Sequence, residues 1–212
     1  VGDILGIEKA HKMFQGCTSL KYPANVGDKI KNCEQMYYGC TNLVDVSTYR
    51  DTMEDTSSMY NGCISLEFTG DMADNIKNAE AMFCDCTKLK KIGHLSKSLE
   101  NAKSMFNGCI DLKMINKNID LPNVIKYADY MFYGCTNLNA NVYYSSSLET
   151  AQGMFRNCSS MENFRDVANL TCLSNMNSMF LGCTNATFSA LTKCPPNVTD
   201  LRYCFSNCSN LQ

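Results

Sequence analysis

Fourteen cysteines and two histidines are the residues best able to do chemistry in this 212-residue chain. Thiols at that density serve disulfide cross-linking, metal coordination or nucleophilic catalysis, and each makes demands on spacing. Cys84-Asp85-Cys86 resembles a metal clip, but two thiols with no histidine nearby do not complete a tetrahedral site. His11 and His94 stand alone, without a neighbour that would make a base, a nucleophile or a ligand set. The carboxylates are scattered, and no phosphate-binding loop, G-x-S-x-G or dinucleotide fingerprint occurs. These residues argue against an enzyme, a metal site and a cofactor. Two chemistries remain. Cys172 and Cys194 fall in loops ahead of equivalent segments and form a candidate disulfide. Asn-x-Ser/Thr sequons occur at Asn157, Asn169, Asn185, Asn197 and Asn207, of which Asn169, Asn185 and Asn197 lie in loops that a glycan could occupy.

What positions these residues is a repeat. Met-Phe-x-Gly-Cys-x-x-Leu recurs with its first residue at Met13, Met36, Met59, Met82, Met105, Met131, Met154, Met179 and, substituted, Cys204. The steps are 23, 23, 23, 23, 26, 23, 25 and 25 residues. Nine cysteines form one column, from Cys17 to Cys208, four residues after the Met. In register across parallel coils their side chains lack the torsion that a disulfide needs, so the column reads as a buried thiol ladder. The residue before each of these cysteines is only Gly, Asn or Asp, the types that tolerate left-handed backbone. A tight turn is therefore expected there, ending a short helical or 3₁₀ segment that carries the Met-Phe pair.

Upstream of the Met lie an apolar column from Ile7 to Val198 and a mostly small one from Ala10 to Leu201. Between them runs Glu8, Lys31, Glu54, Lys77, Glu100, Lys126, Glu149, alternating in sign without a fault. Beside it is a polar, Asn-rich column: Lys9, Asn32, Asp55, Asn78, Asn101, Tyr127, Thr150, Asn175 and Asp200. Stacked parallel segments place equivalent residues about 4.8 Å apart, where alternating charges attract and amides bond from coil to coil.

The units Ser104-Met105-Phe106-Asn107-Gly108-Cys109 and Tyr130-Met131-Phe132-Tyr133-Gly134-Cys135 resemble the BspA-like leucine-rich repeats, of the Met-Phe-x-Gly-Cys variety, from Ile7 to Leu211. Asp85, Cys204, Met161 and Ala186 depart from the pattern. The fold expected is α/β: a right-handed leucine-rich-repeat solenoid of nine coils of about 23 residues, with short parallel strands and short helical or 3₁₀ turns. It is expected as a single domain over residues 1–212, a segment of a longer chain, with further repeats or a capping partner at the termini. The resemblance implies no catalysis, an extracellular or cell-surface location, and adhesion to a protein or glycan ligand. The alternative is a structural subunit of a filament, sheath or virus-particle appendage.

A net charge of −2 gives no reason to expect nucleic acid, and no stretch approaches the ~20 apolar residues that would insert in a membrane. In such repeats the segment after the conserved Leu lines the concave face. Its first outward column reads Lys21, Val44, Glu67, Lys90, Lys113, Asn139, Glu162, Thr187, and the next Tyr22, Asp45, Phe68, Lys91, Met114, Ala140, Asn163, Phe188, some turning inward. This variety is what a recognition surface shows, whereas the Glu/Lys column is monotonous. Lys21, Glu67, Lys90, Lys91 and Lys113 are candidate ligand contacts, with the basic cluster suited to an acidic partner. Tyr143 and Tyr144, expected in an exposed aromatic loop, are a second candidate.

Overall fold

The computed structural model describes residues 4–113 and 118–211, so the position of Met114 lies outside the described residues. The Asn-rich column is the backbone ladder. Parallel bridges join Lys9 to Asn32, then Asp55, Asn78, Asn101, Tyr127, Thr150, Asn175 and Asp200. Pairing is one residue wide at each rung, so these rungs are bridges rather than strands. Among the described residues two strands form, β1 (Asn118–Asp120) and β2 (Asn141–Tyr143), parallel and in register from Asn118↔Asn141 to Asp120↔Tyr143.

The short polar side chains in the ladder act more locally than coil-to-coil bonding requires. Asn32 Oδ1 accepts the Glu34 N–H at 3.1 Å and Asp55 Oδ1 the Ser57 N–H at 3.0 Å. Asn78, Asn101, Asn175 and Asp200 repeat this arrangement. Each turns the chain out of the ladder through an Asx turn. Coil-to-coil amide bonds accompany it, as from Asn78 Nδ2 to Asp55 Oδ1 at 3.2 Å.

The expected helical or 3₁₀ segment around the Met-Phe pair is replaced by a run of alternating turns. Around Met105, the N–H groups of Ala102, Ser104, Phe106 and Gly108 donate to the next coil, to Tyr127, Asp129, Met131 and Tyr133 carbonyls. The intervening N–H groups of Met105, Asn107 and Cys109 donate three residues back within their own coil. A helix would spend every N–H within the coil. What prevents it is a second left-handed column that the residue types did not announce. The residue before each Met has positive φ: Lys12, Gln35, Ser58, Ala81, Ser104, Tyr130, Gly153, Ser178 and Tyr203, between 51° and 58°. The expected turn column is left-handed throughout as well, from Gly16 at 72° to Asn207 at 59°. Non-glycine residues pay about 1–2 kcal/mol for this geometry, and the coil-to-coil bonds it frees keep it in place.

The core is built in columns. Phe14, Tyr37, Tyr60, Phe83, Phe106, Phe132, Phe155, Phe180 and Phe205 stack with successive ring centroids 5.3–6.0 Å apart and planes within 20°. Each stacked pair is worth ~0.5–1.5 kcal/mol beyond the area it buries. Where the stack carries tyrosine the hydroxyl has a task. Tyr37 accepts the Ala24 N–H at 3.1 Å, and Tyr60 accepts the Ser47 N–H at 2.9 Å beside a 2.7 Å bond to the Ser47 hydroxyl.

The cysteine column is buried and thiolic, and it too bonds between coils. Cys40, Cys63, Cys86, Cys109, Cys135, Cys158, Cys183 and Cys208 each donate S–H to the aromatic residue's carbonyl in the preceding coil, at 3.0–3.2 Å. Burial pushes these thiols up, Cys63 to about 12. The end members differ from the expected core columns: Met13 is 46% exposed, Leu201 43% and Leu211 50%, and Cys17 is exposed, because each has a coil on one side only.

The alternating charge column pairs in part, Lys77 with Glu54 at 3.0 Å and Lys126 with Glu100 at 2.8 Å, while Glu8, Lys31 and Glu149 form no ion pair among the described residues. The lysine bonds hold both glutamates below the usual carboxylate range. So exposed a set of pairs adds little to stability; it penalises a slipped register.

Candidate interaction face

Apart from the monotonous ladder, the two varied columns follow each conserved Leu. Their first positions are knitted by backbone bonds from Val44 N–H to Lys21 C=O (3.0 Å), Lys90 to Glu67 (2.9 Å) and Lys113 to Lys90 (3.1 Å). This brings Glu67, Lys90, Lys91 and Lys113 together on consecutive coils, with Lys21 two coils before Glu67 on the same column. All five side chains are exposed. Lys90 is paired with Glu67 at 2.9 Å, which lowers the Glu67 carboxyl, so the basic cluster is partly neutralised. Lys91 and Lys113 have no ion pair among the described residues.

Interleaved with these charges are exposed apolar side chains, Tyr22 (66%), Val44 (48%) and Phe68 (48%). Sequence reasoning passed over this apolar stripe because it took the two columns separately. Ala140 and Phe188, of the second column, turn inward and are buried.

The expected exposed aromatic loop is not one. Tyr143 is the last residue of β2 and points outward, with the Arg165 guanidinium over its ring at 4.0 Å. Tyr144 points the other way, edge-on to Phe155 at 6.3 Å, with a buried hydroxyl that has no partner and a phenol raised by desolvation. Strand alternation accounts for the difference: neighbours on an extended segment face opposite sides. The alternation also leaves only Tyr143 as a surface contact.

Asn169, Asn185 and Asn197 are all exposed, and the Asn197 side-chain amide donates to the Thr171 carbonyl at 2.7 Å. Cys172 and Cys194 are exposed free thiols, and Cys84 is half-buried, with its thiol pushed up to about 12 by desolvation. Both histidines have carboxylate partners that the sequence did not indicate, because the partner lies one coil away: His11 with Glu34 at 3.2 Å and His94 with Asp71 at 3.0 Å. Among the described residues no group of three His, Cys, Asp or Glu side chains is placed to hold a metal ion.

Beside this face the stack opens into a groove of about 1230 Å³, bordered by Phe68, Lys91, Ile92, His94, Asp120 and Pro122 among others.

Comparison with known proteins bears on the fold. A family model described as the BspA type leucine rich repeat region matches six copies, over residues 8–119 and 57–187. The fold is similar to that of a leucine-rich repeat protein from Bacteroides ovatus, with a TM-score of 0.64 and 18% identity over 100% of this chain. The chain spans 65% of that protein's length. It is also similar to the T. pallidum leucine rich repeat protein, with a TM-score of 0.51 and 18% identity, over 88% of this chain and 72% of that one. No curated protein matches the sequence.

Proposed function

The chain belongs to the BspA-type leucine-rich repeat family, and from that premise we propose that it is a non-catalytic adhesion scaffold acting outside the cell or at its surface. In this reading the repeats form one right-handed solenoid of nine coils, and the face from Lys21 to Lys113 meets a protein or glycan ligand. The observation that carries it is the contrast between two sets of columns in one stack. The ladder columns repeat Glu and Lys, whereas the columns after each Leu change charge and size at each coil and leave Tyr22, Val44 and Phe68 in water. Large exposed apolar groups among charges mark contact surfaces. The face carries four lysines against Glu67 and Asp45, on a chain of net charge −2, so it is the basic side of an acidic molecule.

The test is binding of the immobilised 212-residue chain to a panel of extracellular-matrix proteins and glycans, beside a Lys91→Glu/Lys113→Glu variant. Binding that falls at least tenfold in the variant supports the face. Binding that the variant retains in full removes it.

A further inference from the structure

Three positions of each coil, four and one residues before the Met and two after it, carry small or polar residues through most of the chain. In the coil of Met131 all three are tyrosine: Tyr127, Tyr130 and Tyr133. No other coil has more than one. The three rings are half-buried and tied to the coil that follows. Tyr130 and Tyr133 meet edge to face, with ring centroids 6.2 Å apart. Tyr130 lays its ring over Gly153, the one glycine of its column, where an added Cβ would fall 2.6 Å from two ring atoms. Gln152 Nε2 donates to the Tyr130 hydroxyl at 2.6 Å. Asp129 accepts the Gln152 N–H and the Thr150 hydroxyl, each at 2.8 Å, and pairs with Lys103 at 3.4 Å. The Lys103 ammonium lies over the Tyr127 ring at 5.0 Å, and the Arg156 guanidinium over the Tyr133 ring at 5.5 Å.

This packing fixes the rings and leaves their polar ends idle. The Tyr127 and Tyr133 hydroxyls have no hydrogen-bond partner among the described residues, and the Tyr130 hydroxyl, as an acceptor, keeps its own O–H to give. Arg156 is the odd member. Among the described residues no carboxylate pairs with it, its guanidinium makes no hydrogen bond, and its Nε is shut off from solvent. We infer that the cluster binds a glycan through a carboxylate-bearing sugar, a sialate or a uronate. A guanidinium oriented by an aromatic ring, with its fork unspent, suits a planar carboxylate. Tyrosines supply flat apolar contact for sugar C–H groups and O–H groups for its hydroxyls, and rings already immobilised lose little freedom on binding. A peptide is the poorer fit, because the main chain here is spent. The N–H groups of Tyr130, Phe132 and Gly134 donate to the Gln152, Met154 and Arg156 carbonyls at 2.8–2.9 Å, so no backbone edge is offered, whereas a sugar needs only side chains. None of these residues belongs to the face from Lys21 to Lys113, so the two readings stand or fall separately.

The whole 212-residue chain is titrated with lactose capped by sialate, lactose capped by glucuronate, and unmodified lactose, followed by calorimetry and saturation-transfer NMR. At least one capped sugar should bind with a Kd below about 1 mM, and lactose at least tenfold more weakly. Saturation should pass most strongly to the capping sugar. Arg156→Gln and Arg156→Lys should each lower the affinity tenfold or more, since lysine keeps the charge and loses the fork. Tyr133→Phe keeps the ring beneath Arg156 and removes only the hydroxyl, so it should fold as the parent does, by melting temperature, and bind severalfold more weakly. Equal affinity for capped and unmodified lactose overturns the proposal, as does a capped sugar that the Arg156→Lys and Tyr133→Phe variants bind undiminished. Absence of binding by both capped sugars overturns it too. A hexaglutamate peptide that binds through Arg156 where the sugars do not replaces it with an acidic-peptide site.

Discussion

Raising the pH should unfold this protein earlier than its acidic composition suggests, because its core is lined with thiols. Desolvation lifts Cys33, Cys63 and Cys204 from an ordinary value of 9.0 to about 12. In the folded chain these thiols stay protonated where the unfolded chain has already released its protons. The stability they represent is complete below pH 9 and is lost as pH rises from 9 towards 12. At pH 10 each costs roughly 1–2 kcal/mol, so the three together remove about 4 kcal/mol. Cys86, Cys109 and Cys158 are raised further and act in the same direction. Against a typical total of ~5–15 kcal/mol, that is a large fraction. With a urea m-value near 2–3 kcal/mol/M, the unfolding midpoint should drop by about 1.5–2 M between pH 8 and pH 10. The assay is urea unfolding followed by circular dichroism, with reductant present so that oxidation does not compete. Cys63→Ala should flatten the pH dependence measurably, since one titrating group is gone. A midpoint constant from pH 8 to 10 would refute the reasoning, and would mean that water reaches the thiol column.

Three further outcomes follow from the coil geometry. Tyr60→Phe keeps the ring stack but strands the Ser47 N–H and hydroxyl in a buried setting. It should cost ~1–3 kcal/mol and lower the melting temperature by about 2–4 °C per kcal/mol, read by scanning calorimetry. Gly39→Ala adds a Cβ that meets nothing within 4 Å at a φ of 70°, so its cost isolates backbone strain; urea midpoints should show about 1 kcal/mol lost. Ellman's reagent on the folded chain should titrate Cys17, Cys172 and Cys194 quickly and the remaining thiols only after denaturation. Fast reaction of Cys109 would contradict the buried column.

Much of the stack was legible because a repeated fold writes each constraint nine times. The left-handed turn shows in Gly16, Asp85 and Asn157 because only a few residue types tolerate it, and the register shows in the alternation of Glu54, Lys77 and Glu100. The left-handed residues before each Met escaped notice because Lys12, Ser58, Ala81 and Tyr130 share no chemistry. There tertiary bonding overrides local preference, and the expected helix gave way with it. The partners of His11 and His94 were hidden for a related reason: contacts one coil away do not show at the spacings at which sites are usually sought. Tyr144 was misplaced by reading two adjacent tyrosines as one surface feature.

The bonds between coils carry a kinetic consequence. Those of the cysteine column join residues 26 to 29 apart, a span of about an eighth of the chain, in the range of relative contact order of mixed α/β domains and below that of all-β folds. Although its ladder is parallel, the chain never has to close a long loop before a contact rewards it. Folding can start at any well-formed pair of neighbouring coils, with Tyr60 and Phe83 as good a place as any, and extend both ways one coil at a time. Amide exchange should then show protection that is highest in the middle of the stack and falls towards both ends, rather than one cooperative block.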